Sequence, residues 1–272
     1  MENKTRVISL TNNKGGVGKT TSTLNLGVGL ANKGKRVLLI DLDPQASLTI
    51  SLGLNSKDFL EASIVQVLAS EKDIKNCILK LKENVYIIPS NKLLNDKEDV
   101  IKNKPLSQAT LKVALEPIKS VFDYILIDCP PSLNIFTDNG LIASNEVFIP
   151  IEAEYLALQG TSQLVDKVNE MKNVKQALFK EDLKITGVFL TKYDTRKNLN
   201  KQVKEVLEQT FKGKVFKTNI NTNVALAEAP SHQKDIFSYE PTSTGARDYE
   251  ALAEEVIEQE KGGFNEETET LY

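Results

Sequence analysis

The sequence predicts an α/β fold: a doubly wound, mostly parallel sheet with helices on both faces. Two observations predict it. Short apolar runs, unalternating and rich in branched residues, recur along the chain, as suits strands buried on both faces of a parallel sheet. Helical patterns lie between them, and strand–helix alternation of this kind winds into an open sheet covered on both sides. A chain of 272 residues can bury one large core, and no internal repeat or linker divides it.

The first run, residues 7–10, leads into a glycine-rich loop. Leu24, Gly27, Val28 and Ala31 then fall at i, i+3, i+4 and i+7, one face of a helix, and Gly34 follows as its stop. Further strands are expected over 37–40, 85–88, 124–127, 147–151 and 185–190. Helices over 107–120 and 159–178 lie between later strands. A shorter helix over 201–211 has Val203, Val206 and Leu207 on its apolar stripe. The helix over 247–259 turns Tyr249, Leu252, Val256 and Ile257 inward. Residues 262–272 read as an acidic, frayed tail.

Composition narrows the class. Hydrophobic residues make up 40% and charged residues 26%, as in a soluble globular protein. No apolar run approaches the roughly 18 residues of a membrane helix, and the N-terminus lacks a signal-peptide pattern. A cytoplasmic location is expected. Cys77 and Cys129 form no C-x-x-C pair, and His232 is the single histidine. This argues against a disulfide framework and against zinc or iron–sulfur sites, leaving reduced, packed thiols and a loop or packing histidine.

The net charge of −3 hides an asymmetry. Residues 192–217 carry eight Lys/Arg against three acids, and 248–272 carry nine acids against Lys261 alone. Either run reads first as a solvated face.

The loop "TNNKGGVGKTTST" (residues 11–23) follows the first strand and opens the first helix. In a phosphate-binding loop, backbone N–H groups wrap the phosphates at a helix N-terminus, where the helix dipole also favours negative charge. The general pattern is G-x-x-x-x-G-K-[ST]. Asn13 stands at its first glycine, but Gly18, Lys19 and Thr20 fit. Lys19 should reach the β/γ-phosphates and the Thr20 hydroxyl should bind Mg²⁺. "LLIDLDPQ" sets Asp41 and Asp43, and "YILIDCPPS" sets Asp128, at the ends of buried strands, where open α/β sheets bind ligands. A carboxylate after an apolar strand is the Walker B arrangement, holding Mg²⁺ directly or through water.

Together "KGGVGKTT", "DLDPQ", "DCPPS" and "EAPSH" (Glu228 to His232) resemble the ParA branch of the deviant Walker ATPases, over residues 7 to 257. The resemblance implies a P-loop NTPase domain over residues 1–261, using ATP and Mg²⁺. It explains the second lysine of the loop: in that family the extra lysine crosses a dimer interface to the phosphates of the other subunit's ATP. By position that residue is Lys14, so Lys14, Lys19 and Asp43 are the expected catalytic residues. Asp43 resembles the residue that orients the attacking water, with Asp41 as its neighbour near the metal. The nucleotide would lie on Lys14, Gly15, Gly16, Val17, Gly18, Lys19, Thr20, Thr21 and Asp128, and the metal on Thr20, Asp43 and Asp128. "TKYD" (Thr191 to Asp194) and the loop around Asn219 and Asn223 resemble the adenine-side segments.

The implied function is an ATP-dependent dimeric switch of plasmid or chromosome partitioning. Its ATP homodimer would bind double-stranded DNA non-specifically on the nucleoid, and a ParB-type centromere-binding adaptor would stimulate hydrolysis. The resemblance is to the short type, without an N-terminal helix-turn-helix domain. Relatives commonly carry arginines before "EAPSH" that contact DNA, whereas this chain has no basic residue between Ile220 and Ala229. DNA contact is therefore expected from Arg196, Lys197, Lys201 and Lys204, the last three spaced i, i+4, i+7 on a helix face. Alternatives are positioning of a protein cargo and, against the acidic C-terminal segment, a membrane-cycling switch of the MinD kind, which needs a basic amphipathic helix there. A metabolic or cluster-bearing enzyme on the same fold is disfavoured by the cysteine positions.

Overall fold

All six apolar runs read from the sequence are strands of one sheet. The computed structural model describes residues 5–154 and 161–262. Its strands are β1 (Arg6–Leu10), β2 (Val37–Asp41), β3 (Leu79–Lys82), β4 (Val85–Ile88), β5 (Tyr124–Asp128), β6 (Glu146–Glu152) and β7 (Lys184–Thr191). They lie in the order β3-β4-β2-β5-β1-β6-β7. Every pairing is parallel except β3 with β4.

β3 is the strand that sequence reading missed. Its "LKLK" alternates rather than running apolar, because it is a half-exposed edge where lysines discourage further pairing. By contrast every residue of β2 and β5 is buried, which is why they read as continuous hydrophobic runs.

The helices that matter here are α1 (Lys19–Asn32), α2 (Thr161–Phe179), α3 (Asn198–Thr210) and α4 (Thr244–Gly262). Ile8, Leu10, Leu39 and Leu126 face α1 and α4 on one side of the sheet. Val7, Leu38, Ile125 and Ile127 face Leu111, Leu115 and Phe136 on the other. α1 lies close against the sheet at Gly27, where a Cβ would stand 2.5 Å from Leu39 Cδ2. The single helix expected over 107–120 is instead broken: an α-helical turn, Thr110–Leu115, lies between two 3₁₀ turns. Pro117, which cannot donate to an interior helix bond, accounts for the break.

The expected start of the 159–178 helix and the tail from residue 263 on lie outside the described residues. No helix among the described residues is long and apolar enough to cross a membrane. Cys77 and Cys129 are buried free thiols. His232 is exposed and stacks on Tyr239 at 4.9 Å between ring centroids.

Candidate nucleotide site

β1 lies between β5 and β6, so the chain leaves it toward β2 on one side and later returns to β6 on the other. Ligands of open α/β sheets bind at such a switch point, outside the carboxyl ends of the strands. The loop that follows β1 is residues 11–18, and α1 begins at Lys19.

Its shape follows from its residues. Gly16 and Gly18 have φ of 75° and 86°, left-handed values that glycine adopts without strain. Asn13 has no positive φ, so the missing first glycine costs the loop nothing in backbone conformation. Asn12 shapes the entry: its Oδ1 accepts from Lys14 N at 2.9 Å and its Nδ2 donates to Pro150 O at 2.9 Å. Buried Val17 anchors the middle, and its carbonyl accepts from Thr191 Oγ1 at 2.9 Å. The "TKYD" corner is thereby fixed to the loop, and Tyr193 in turn pairs with Asn221. The two segments expected on the adenine side are neighbours.

The two lysines diverge. Lys19 is buried, and its Nζ donates to the Lys14 carbonyl at 3.0 Å, across the loop. Burial pulls its ammonium below the ordinary lysine range, with Asp128 acting in the opposite sense. Lys14 turns outward, its side chain 43% exposed, with Nζ 2.6 Å from Glu154 Oε2 and 3.8 Å from Glu152 Oε2. Lys192, at the end of β7, holds the other Glu152 oxygen at 3.0 Å. Glu152 and Glu154 went unread in the sequence, although they follow an apolar run as Asp41 and Asp128 do.

Thr20 Oγ1 donates to Asp128 Oδ2 at 2.7 Å, and Thr23, another residue the motif did not flag, reaches Asp128 Oδ1 at 3.4 Å. Asp128 and Asp41 are register partners on adjacent strands, both buried. Burial, reinforced by Asp41, holds Asp128 well above the usual carboxylate range. Asp41 rises to about 6, again through burial. Two dry carboxylates side by side favour a cation between or near them. A hydroxyl and a carboxylate are hard oxygen donors that fit Mg²⁺, which typically takes few protein ligands and shares the rest with phosphate and water. Among the described residues no three His, Cys, Asp or Glu converge on a metal.

Asp41, expected near the metal, lies beside Asp128 with both of its oxygens hydrogen-bonded within its own segment. Its Oδ2 accepts from Thr49 N and Thr49 Oγ1 at 2.9 and 2.7 Å, and its Oδ1 accepts from Asp43 N at 3.1 Å. It braces the loop carrying Asp43, whose own Oδ1 accepts from Gln45 N at 2.8 Å. Thr21, next in α1, accepts through its carbonyl from Asn25 Nδ2 at 2.8 Å.

The basic segment is only partly as expected. α3 starts at Asn198, with Lys197 its non-helical cap, so the i, i+4, i+7 stripe loses its first member. Arg196 is held by Asp194, both of its bonds at 2.9 Å, and Asp194 is thereby pushed down to about 2. Lys201 is exposed, while Lys204 Nζ donates to Lys217 O at 3.2 Å. Val206 is 39% exposed and leaves the apolar stripe to Val203 and Leu207. The acids of α4 are not merely solvated: Glu250 and Glu254 pair with Lys33, and Glu260 with Lys35.

A glycine-turned loop, an inward lysine and a Thr–Asp pair at the switch point of a parallel sheet define a P-loop nucleotide-binding protein. A family model described as an AAA domain matches residues 5–185. The chain is 45% identical to the sporulation initiation inhibitor protein Soj of Bacillus subtilis over 252 residues, 92% of this chain and 98% of that one. It is 42% identical to the chromosome-partitioning ATPase Soj of Treponema pallidum, over 93% of this chain and 97% of that one. A Mycobacterium smegmatis structure described as cobyrinic acid a,c-diamide synthase with bound ADP and magnesium superposes with a TM-score of 0.82 at 31% identity, covering 95% and 96% of the two chains. The chain belongs to the Soj/ParA family of chromosome-partitioning ATPases.

Proposed function

We propose that residues 1–261 form one ATPase domain working as an ATP-dependent dimeric switch in DNA partitioning. One observation carries this reading: the two lysines of a single loop face different ways. Lys19 lies within the loop, bonded to its backbone, whereas Lys14 Nζ stands outside it on Glu154. An outward ammonium at the rim supports a contact with the phosphates of a facing subunit. ATP is a polyanion that Lys19 neutralises only in part, so closure of two subunits becomes conditional on ATP.

In this reading the backbone of Gly15, Gly16, Val17, Gly18, Thr20 and Thr21 wraps the phosphates and Lys19 bonds them. Thr20, Asp43 and Asp128 would hold Mg²⁺, which when bound would supply charge neutralisation at the transferred phosphoryl group. Asp43, on the loop braced by Asp41, orients the attacking water. Hydrolysis then removes the γ-phosphate contacts and opens the dimer.

The closed dimer doubles a lysine-bearing edge formed by Lys201, Lys212, Lys214 and Lys217, all exposed, and Lys204, Lys197 and Arg196 flank it. Doubling adds avidity for duplex phosphates. Such a protein works in the cytoplasm on the nucleoid, with a ParB-type centromere-binding adaptor as the stimulator of hydrolysis. The test is binding to random-sequence duplex DNA with ATP, with ADP and without nucleotide, over a salt series. Binding confined to ATP and falling steeply with salt supports the reading. Binding that ignores the nucleotide contradicts it.

A further inference from the structure

α4 carries two connections whose combination points to a role that no motif marks. On one side Tyr249 OH lies 3.0 Å from Ser22 Oγ, a buried hydroxyl pair one turn into α1. On the adjoining side Asp248 Oδ2 accepts from Asn221 N at 2.8 Å and from Asn221 Nδ2 at 3.0 Å. Two turns on, Glu255 accepts from Lys217 N and Thr218 N at 2.7 and 3.0 Å. One helix thus holds the phosphate-loop helix with one face and residues 217–221 with another.

That segment borders the nucleotide loop by a second route. Ile220 N donates to Leu190 O, Tyr193 N to Ile220 O and Thr222 N to Tyr193 O, at 2.8, 3.0 and 2.9 Å. Thr191, between Leu190 and Tyr193 in sequence, is bonded to Val17. Asn219 Oδ1 is buried in this segment with no partner among the described residues, an open acceptor suited to an exocyclic amine.

We infer that Asp248 is a positioning residue for the base end of the nucleotide site, holding residues 219–222 at a fixed distance from the phosphate loop. The inference rests on the ATP reading above. A charge-assisted double hydrogen bond is stronger than a neutral pair. The bonds join the segment to the same helix that is joined to Ser22. Loss of the carboxylate lets the base-side segment drift while Gly18, Lys19, Thr20 and Asp128 stay in place. The effect must therefore fall on the base and spare the phosphates.

The experiment compares magnesium ATP with magnesium tripolyphosphate, which has the phosphates and no base, by calorimetric titration of the full chain. Asp248→Ala should weaken ATP about tenfold and leave tripolyphosphate within about twofold of wild type. Asp248→Asn, which keeps an oxygen acceptor, should restore most of the ATP affinity. Should the alanine variant not fold, Asn221→Ala, which deletes one of the two donors, carries the same comparison with a loss of about threefold. Unchanged ATP affinity, or equal losses for both ligands, overturns the positioning role. A wild-type chain that binds neither ligand overturns the ATP reading instead.

Discussion

Lys14 Nζ lies 2.6 Å from Glu154 Oε2 of its own chain. The ion pair is exposed, and Glu154 is drawn below the ordinary carboxylate range first of all by its hydrogen bond to Lys14. In the proposed switch, the outward lysine would have to exchange this partner for phosphate oxygens. Glu152 would then keep Lys192, whereas Glu154 would lose Lys14.

Glu154→Gln should therefore lower the ATP concentration needed for dimers. Exposed pairs are weak, so the shift is small, about two- to threefold. Analytical ultracentrifugation over an ATP series measures it, and a shift to higher ATP would mean that Glu154 supports the dimer instead.

Asp43 and Asp41 should separate cleanly on mutation. In the proposed reading Asp43 acts in the transition state, so Asp43→Ala should accumulate as an ATP-bound dimer with hydrolysis down by at least about a hundredfold. Asp41→Ala strips the three hydrogen bonds that brace the Asp43 loop and should lower thermal stability as well. Hydrolysis assays beside melting curves distinguish the two; normal turnover in Asp43→Ala would move the water-orienting role elsewhere.

The contrast between these aspartates marks what the sequence makes legible. Both sit after the same apolar run, and periodicity places both at the carboxyl end of β2. What differs is that Asp41 is bound by Thr49, a residue eight positions on that no local pattern flags. The central strands were readable because burial on both faces leaves a continuous hydrophobic run. β3 was not, because a half-exposed edge alternates. Lys14 could be singled out by its place beside Gly15 and Gly16, while its partners Glu152 and Glu154 meet it only through the pairing of β6 with β1.

DNA binding should depend on the exposed lysines that have no carboxylate partner among the described residues. Lys201→Glu with Lys217→Glu should abolish ATP-dependent binding to duplex DNA and leave dimerisation intact. Arg196→Ala should have a weaker effect, since Asp194 already holds the guanidinium. Fluorescence anisotropy with a random duplex checks this, and wild-type binding by the double variant would reduce the edge to a solvated surface.

Lys175 supplies a pH test of the core. It is fully buried, its Nζ on the Ser144 carbonyl and 3.5 Å from Glu181 Oε2. Burial lowers its ammonium to about 8, with Glu181 acting in the opposite sense. The folded chain therefore binds fewer protons here than the unfolded chain between pH 8 and the ordinary lysine value near 10.4. The contribution of this group to stability must rise with pH across that window. Stability of the wild type relative to Lys175→Met should climb over the same range and stay flat below pH 7; a flat difference throughout would contradict the depressed ammonium.

The outward lysine is the centre of the functional reading, and mass measurement tests it most directly. Wild type and Lys14→Ala are compared by light scattering on a sizing column with a non-hydrolysable ATP analogue, with ADP and without nucleotide, after nucleotide binding by each has been measured. The expected result is a dimer for wild type with the analogue only, and a monomer for Lys14→Ala in every condition despite retained nucleotide binding. A Lys14→Ala chain that dimerises with the analogue as wild type does would contradict a phosphate contact made across the interface.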